Sequence, residues 1–485
     1  MPAHDQKQEE LAYALITPYS LHKSRTGGII ARMLWANVRL VATRMYAPQP
    51  DGGFLREYCD VIYDPEETEV SLRYQRMLIK YILENFGRPN VRGTSNRMMV
   101  LVFKGPNARQ ELVNATGHIS QDVRGDNVRG TFGDCIAEDP SKPCFQAARE
   151  RTESTMKDCY PALENVRTGL EGHRFFEPGM LTGVTPQMTE QHLRLFRRRA
   201  YSDGGFVLEA LDDLDTSTLE TSMVILKPES FRRRNPLPGN LIDFFARTGM
   251  FITGSKIVQL TVEQAREFYS AKLPQFRRQL KGMVEEKARQ IVERARALAE
   301  ATGPTFGVDQ SDLRDPGKAI PLAREAEYLF ACPEESEPGE LKENVLDELY
   351  DVLSERLESL HPDDSFYAAV TEDLKDANAR AEFNELIRYM SGADPETGHP
   401  IEENGKTTCM ALLYSGPDGL NVIRRRLKEL REVYGQNVLQ NRAHASDPEE
   451  DPVAETEVLG MPNAPGGESR PCDLEKVVND AFGGE

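Results

Sequence analysis

The sequence predicts an α+β protein made of two tandem copies of one unit, with a helical insertion in the second. Three observations predict it. The segment "AYALITPYSLHKSRTGGIIARMLWANVRLVATRMYAP" (12–48) reads strand, turn, amphipathic helix, strand, and "TSMVILKPESFRRRNPLPGNLIDFFARTGMFITGSKIVQL" (221–260) reads the same way. Further on, "MMVLVFKGPNARQEL" (98–112) and "CMALLYSGPDGLNVI" (409–423) are both apolar strands running through Gly-Pro into a helix. Between the early and late parts of the second copy lies a block, about 272–380, with helical period and opposite charges four apart.

Each element has a local cause. The first strand of each copy is an apolar run stopped by a proline turn, "ITPYS" and "LKPES", because proline donates no hydrogen bond to a ladder. A basic loop and a glycine lead into a helix whose apolar positions recur at three and four, and a second strand follows. In the insertion, "FRRQLKGMVEEKARQIVERARALAEA" and "ELKENVLDELYDVLSERLESL" suit solvated helices of an interaction arm. From Pro448 on, the chain is rich in Pro, Gly, Asp and Glu, which predicts a flexible tail. The expected division is 1–200, 201–460 with the insertion at 272–380, and a tail at 461–485.

Composition limits the function. The 485 residues are 39% hydrophobic and 28% charged, with a formal net charge of −19. That balance fits a soluble protein and opposes a phosphate-backbone grip on nucleic acid, which needs a basic face. The seven cysteines include no CxxC pair, so neither a disulfide framework nor a zinc site is expected. The start, "MPAHDQKQEE", has no basic segment followed by an apolar run, and no window reaches membrane-helix length. A cytoplasmic protein that binds neither nucleic acid nor membrane is expected, and a homo-oligomer is allowed.

Chemistry concentrates near the end, in "NVLQNRAHASDPEEDP" (437–452). His444 has Ala, Ser and Asp after it, where a core histidine would have apolar neighbours at regular spacing. A neutral imidazole can attack a γ-phosphorus and pass the phosphoryl group on. It needs cations around the equatorial oxygens and an oxygen on its other nitrogen to fix the tautomer. Lys227 ends an apolar strand and is followed by Pro228; Arg424, Arg425, Arg426 and Arg431 lie upstream of His444; Asn441 and Ser446 flank it; Glu455 and Glu457 follow.

In this set the second copy resembles the nucleoside diphosphate kinases. That family has a strand ending in Lys-Pro-Asp and a late Asn-x-x-His-Gly-Ser-Asp, which here read Lys227-Pro228-Glu229 and Asn441-Arg442-Ala443-His444-Ala445-Ser446-Asp447. Its tyrosine after the second strand matches Tyr269, its Tyr-Met-Ser-Gly turn matches "FNELIRYMSG" (383–392), and its arginine ten residues before the asparagine matches Arg431. A glutamate in the family's Ala-Glu-x-Glu pattern falls on Glu457 with a two-residue insertion and on Glu455 with none; Glu457 is the assignment made here. The likeness covers about 221–271 and 381–460, and more weakly the first copy.

The resemblance implies two ferredoxin-like units, each an antiparallel sheet with helices. It implies phosphoryl transfer from a nucleoside triphosphate to a nucleoside diphosphate through His444, with ATP as donor and Mg²⁺ on the phosphates. Lys227 would hold the γ-phosphate, Arg424, Arg426 and Arg431 the diphosphate, Tyr269 and Asn441 the nucleotide, while Ser446 and Glu457 orient the imidazole. The first copy departs from the pattern: Thr17 stands in the lysine's place and no Asn-x-x-His follows "NVRGTFGD" (127–134). In the second, only nine residues separate Asn421 from Arg431, so the family's long phosphate-binding loop is missing. A scaffold or nucleotide-binding protein on a decayed kinase fold is the alternative.

Overall fold

A computed structural model describes residues 9–47, 53–86, 96–118, 125–137, 143–168, 174–198, 219–279, 364–401, 406–437, 439–447, 452–461 and 473–483. The strands are β1 (Glu9–Ile16), β2 (Arg39–Tyr46), β3 (Met98–Pro106), β4 (Asp134–Ala137), β5 (Arg174–Glu177), β6 (Met180–Leu181), β7 (Leu219–Leu226), β8 (Phe251–Val258), β9 (Cys409–Pro417) and β10 (Ala443–Ala445). Two four-stranded antiparallel sheets result, ordered β2-β3-β1-β6 and β10-β7-β9-β8, with a separate hairpin of β4 and β5. The fold is α+β.

The two sheets correspond in register. In the first sheet Ile16 pairs with Met180 and Leu15 with Leu181; in the second Leu226 pairs with Ala443 and Ile225 with His444. β3 and β9 each lead into a helix, Ala108–Thr116 and Gly419–Tyr434, through a left-handed residue, Asn107 with φ 55° and Asp418 with φ 52°. A short polar side chain tolerates that conformation where most others do not.

Both four-stranded sheets fall within one compact unit. Compact unit one comprises Met1–Val258, Thr408–Tyr434 and Arg442–Glu485; unit two comprises Gln259–Thr407 and Gly435–Asn441. The reason is a shared core. Strand side chains alternate faces, and one face of each sheet contributes to a single cluster: Ala12, Ala14, Ile16, Leu101 and Phe103 from the first, Val224, Leu226, Leu412, Tyr414, Ala443 and Ala445 from the second. Helices Thr26–Met33 and Leu237–Ala246, the equivalent helices of the two copies, pack against each other there, with Gly27 facing Gly239. Sheet edges β2 and β8 also meet, where Thr43 Oγ1 lies 3.0 Å from Ser255 Oγ and Arg97 donates to the Thr253 carbonyl.

The far face of the first sheet has its own core of Tyr13, Leu15, Tyr46, Val100 and Val102 under helices Gly53–Ile62, Glu69–Asn85 and Pro186–Arg197. The expected flexible tail ends in part of this core. Residues Asp473–Phe482 form a helix whose Leu474 and Val478 are fully buried. Arg194 donates to the Phe482 carbonyl at 2.8 Å and Arg197 to Asn479 at 2.8 Å. Apolar residues at 474, 477, 478 and 482 are three and four apart, a helical stripe that the polar, Pro-rich lead-in obscures. Ending the chain after Met461 should therefore cost about 3 kcal/mol or more, from re-exposing two large apolar side chains and their seat. A thermal melt with a dye-binding assay for exposed apolar surface checks this; an unchanged melt would refute it.

The longer elements of unit two are helices. Val262–Phe268 opens with a capping box between Thr261 and Gln264. Lys272–Gln279 lies against Asp364–Ser391, with Arg277 bonded to Glu372 and 2.9 Å from Asp376. The rest of the predicted insertion, 280–363, falls outside the described residues. Among the described residues no helix is long and apolar enough to cross a membrane.

Candidate functional site

β10 is only three residues long, and its placement is set by β7. Ala443 and Ala445 point into the shared core, so alternation turns His444 to the opposite face. The strand begins from Arg442, a left-handed residue with φ 72°, a conformation that costs a side-chain-bearing residue about 1–2 kcal/mol. Arg442 is held by its surroundings. Its carbonyl accepts from the Lys227 N–H at 2.9 Å, its N–H donates to Glu229 Oε1 at 2.7 Å, and its Nε donates to the Tyr434 carbonyl at 2.8 Å. The strand end carrying Lys227 and the strand carrying His444 are thus tied together by backbone.

His444 is 4% exposed, and its Nε2 lies 2.9 Å from Oε1 of the equally buried Glu455. Glu455 comes from helix Pro452–Val458. Glu457, the glutamate assigned from the resemblance, sits on the exposed side of the same helix, so the carboxylate on the ring is that of Glu455. Ser446 is buried as well, but its hydroxyl accepts from the Met223 N–H at 3.2 Å while its own N–H donates to the Met223 carbonyl at 3.0 Å. It extends the β10–β7 pairing rather than orienting the ring.

Lys227 is buried. In register it stands opposite Cys409, since Leu226 pairs with Met410. Burial pushes the Cys409 thiol well above its usual range; the charge of Glu229 adds to this and that of Lys227 opposes it. Both charges therefore lie close to this strand end.

The three arginines all have partners within the fold. Arg431 donates to the Ala443 carbonyl at 3.1 Å, fixing the start of the histidine strand. Arg424 forms an ion pair with the buried Asp447. Arg426 donates to the Phe244 carbonyl at 3.0 Å, stacks 3.7 Å over the Phe244 ring and pairs with Glu429. Both side chains hold structure within the second copy. Tyr269 and Asn441 belong to unit two; Tyr269 is buried there, edge-on to Phe268 at 4.8 Å.

The first sheet has the same frame with other residues at these places. Thr17 takes the place of Lys227, and the register puts Leu181 where His444 stands. Thr17 donates instead to the buried Glu177 at 2.6 Å, as does Tyr81 at 2.6 Å. Burial raises the Glu177 carboxyl above its usual range, and these hydrogen bonds oppose the rise. Arg129, in the Arg-Gly segment, donates to the Gly117 carbonyl at 2.8 Å, and burial brings it down to about 10.

His192 is a second buried histidine, with Nδ1 at 2.7 Å from the Tyr13 hydroxyl and Nε2 at 3.0 Å from the Tyr58 carbonyl. Burial drops it to about 4, so it stays neutral in the core. His444 has a carboxylate on one nitrogen, the arrangement that fixes a tautomer and stabilises an imidazole gaining positive charge.

No protein-family model and no curated protein matches the chain. The kinase resemblance rests on the motif residues themselves.

Proposed function

We propose that the chain is a nucleoside diphosphate kinase-type phosphotransferase, built from two ferredoxin-like units of which the second reacts. The observation that carries this reading is the buried pair of His444 and Glu455, 2.9 Å apart. With the proton held on Nε2 by the carboxylate, the lone pair of a neutral imidazole is on Nδ1. Nδ1 attacks the γ-phosphorus of a nucleoside triphosphate. The N–P bond forms as the bond to the bridging oxygen breaks, and the nucleoside diphosphate leaves with that electron pair. Glu455 stabilises the positive charge that develops on the ring. A second nucleoside diphosphate then attacks the phosphohistidine through its terminal phosphate oxygen and returns the imidazole.

Lys227 supplies positive charge at the transferring group from a strand end bonded to the start of the histidine strand. Mg²⁺ would arrive on the nucleotide. Such an ion is coordinated largely by phosphate oxygens and water, and among the described residues no group of three His, Cys, Asp or Glu side chains could hold a metal. ATP is the expected donor and the cytoplasm the expected compartment.

A second reading, a scaffold or nucleotide-binding protein without turnover, is favoured by the arginines. Arg424 and Arg426, the candidates for replacing the missing phosphate loop, are engaged with Asp447 and Phe244.

Labelling with γ-phosphate-labelled ATP followed by a chase with GDP decides between the two. Acid-labile, alkali-stable label on His444, absent in His444→Ala and lost to GTP on chase, is the expected result. No label supports the scaffold; label persisting in His444→Ala sinks the assignment of the nucleophile.

A further inference from the structure

The two copies share a device that the phosphotransfer chemistry does not by itself require. Each holds the residue before its last strand in a left-handed conformation, Gly179 at φ 79° and Arg442 at φ 72°. Each bonds that residue's carbonyl to the N–H at the end of its first strand, Thr17 at 3.4 Å and Lys227 at 2.9 Å. Each gives that residue's N–H to a glutamate Oε1, Glu177 at 2.9 Å and Glu229 at 2.7 Å.

The glutamates come from different places. Glu229 lies two residues after Lys227, but the equivalent Tyr19 donates its hydroxyl to Asp134 at 3.1 Å, so the first copy takes its acceptor from β5. The same N–H is met by a carboxylate twice, by unrelated routes. That marks the acceptor as a geometric requirement of this strand entry. The requirement is stricter in the second copy, because glycine adopts a left-handed conformation without steric cost and arginine does not.

We infer that Glu229 is a positioning residue, whose carboxylate locks Arg442 left-handed and so fixes His444 against Glu455. This deepens the phosphotransfer reading and rests on it for its kinetic consequence. His444 is two residues beyond Arg442 on a three-residue strand, so the torsion at Arg442 decides where the ring lands. A carboxylate on a backbone N–H is a charge-assisted bond. A glutamine in its place still offers an oxygen, whereas alanine offers none.

The test compares Glu229→Ala, Glu229→Gln and the double variant Glu229→Ala/Arg442→Gly in the full-length chain. Three readouts are taken: the rate of phosphohistidine formation from ATP, carbethoxylation of His444 by diethyl pyrocarbonate mapped by mass spectrometry, and a thermal melt. Glu229→Ala should lower the labelling rate by about tenfold or more, the scale of one lost charge-assisted bond. It should also raise carbethoxylation several-fold as the ring is released. Glu229→Gln should stay within about threefold of the parent in both, and the glycine in the double variant should recover most of the loss, since it needs no lock. Labelling and carbethoxylation unchanged in Glu229→Ala would overturn the inference. A loss that Arg442→Gly does not recover would also overturn it, by showing that Glu229 acts other than through Arg442. A parent chain that is not labelled at His444 sinks the phosphotransfer reading alone; the carbethoxylation ratios then decide the lock independently.

Discussion

Gly239→Ala is expected to destabilise the protein by about 3 kcal/mol or more, because the new methyl has nowhere to go. A Cβ at Gly239 would lie 2.6 Å from the Ala31 Cα and one at Gly27 would lie 2.5 Å from the Gly239 carbonyl oxygen and 2.7 Å from the Asp243 Cα. These are backbone atoms of the partner helix, so relief requires moving one copy away from the other and opening the core they share. Gly27→Ala should behave alike, and the two together should cost less than the sum, since either one already separates the helices. Gly249→Ala supplies the contrast. Its φ of 76° carries conformational strain, but nothing lies within 4 Å of its added methyl, so a loss of about 1 kcal/mol is expected there. Melts and denaturant titrations on the three variants measure this. Equal losses at Gly239 and Gly249 would mean that the helix contact does not hold the copies together.

The same contact explains where sequence reading succeeded and where it stopped. The paired segments 12–48 and 221–260 announce a duplication because strand, proline turn and helix are local patterns, each written within about ten residues. What joins the copies is not local. Gly27 reads as a helix entry in "RTGGII" and Gly239 as one in "PLPGNL", and only the structure shows each seated on the other. For the same reason a boundary near 200, or a fragment starting there, would strip Val224 and Leu226 of the first copy's half of the core. The C-terminal helix was hidden by composition, since a polar, Pro- and Gly-rich lead-in over 462–472 outweighs one short apolar stripe. In the site, the motif order picked out Lys227 at a strand end and His444 as its companion, while the pairing of their strands is a structural finding. Spacing alone could not tell which of two glutamates, one on either side of Thr456, faces inward. Nor could it show that Ser446 and Arg426 have internal partners, because those partners lie 182 residues away for Phe244 and 223 for Met223.

Glu455→Gln should slow phosphohistidine formation by about a hundredfold or more, while Glu457→Gln should leave it within about twofold of the parent. In the proposed transfer the carboxylate would do two things for His444: hold the proton on Nε2, so that Nδ1 keeps its lone pair, and offset the charge the ring acquires as the N–P bond forms. Glutamine is nearly isosteric and its oxygen can still accept from Nε2, so the ring can stay in place. Its amide can also turn its NH₂ toward the ring and favour the opposite tautomer, and in either orientation it carries no charge. A neutral amide in place of the aspartate of a serine-protease triad costs about 10⁴ in rate for these reasons. A smaller loss is expected here because the phosphoryl group brings its own charge and its own cations. Glu457 lies on the exposed side of the helix, where removing one charge in water changes little. The pair of variants separates the two alignments of the motif in one experiment, with the thermal melt confirming that buried Glu455 was replaced without unfolding helix Pro452–Val458. Equal rates for the parent and Glu455→Gln, in a folded protein that labels at His444, would remove Glu455 from the chemistry and leave the 2.9 Å contact a feature of packing alone.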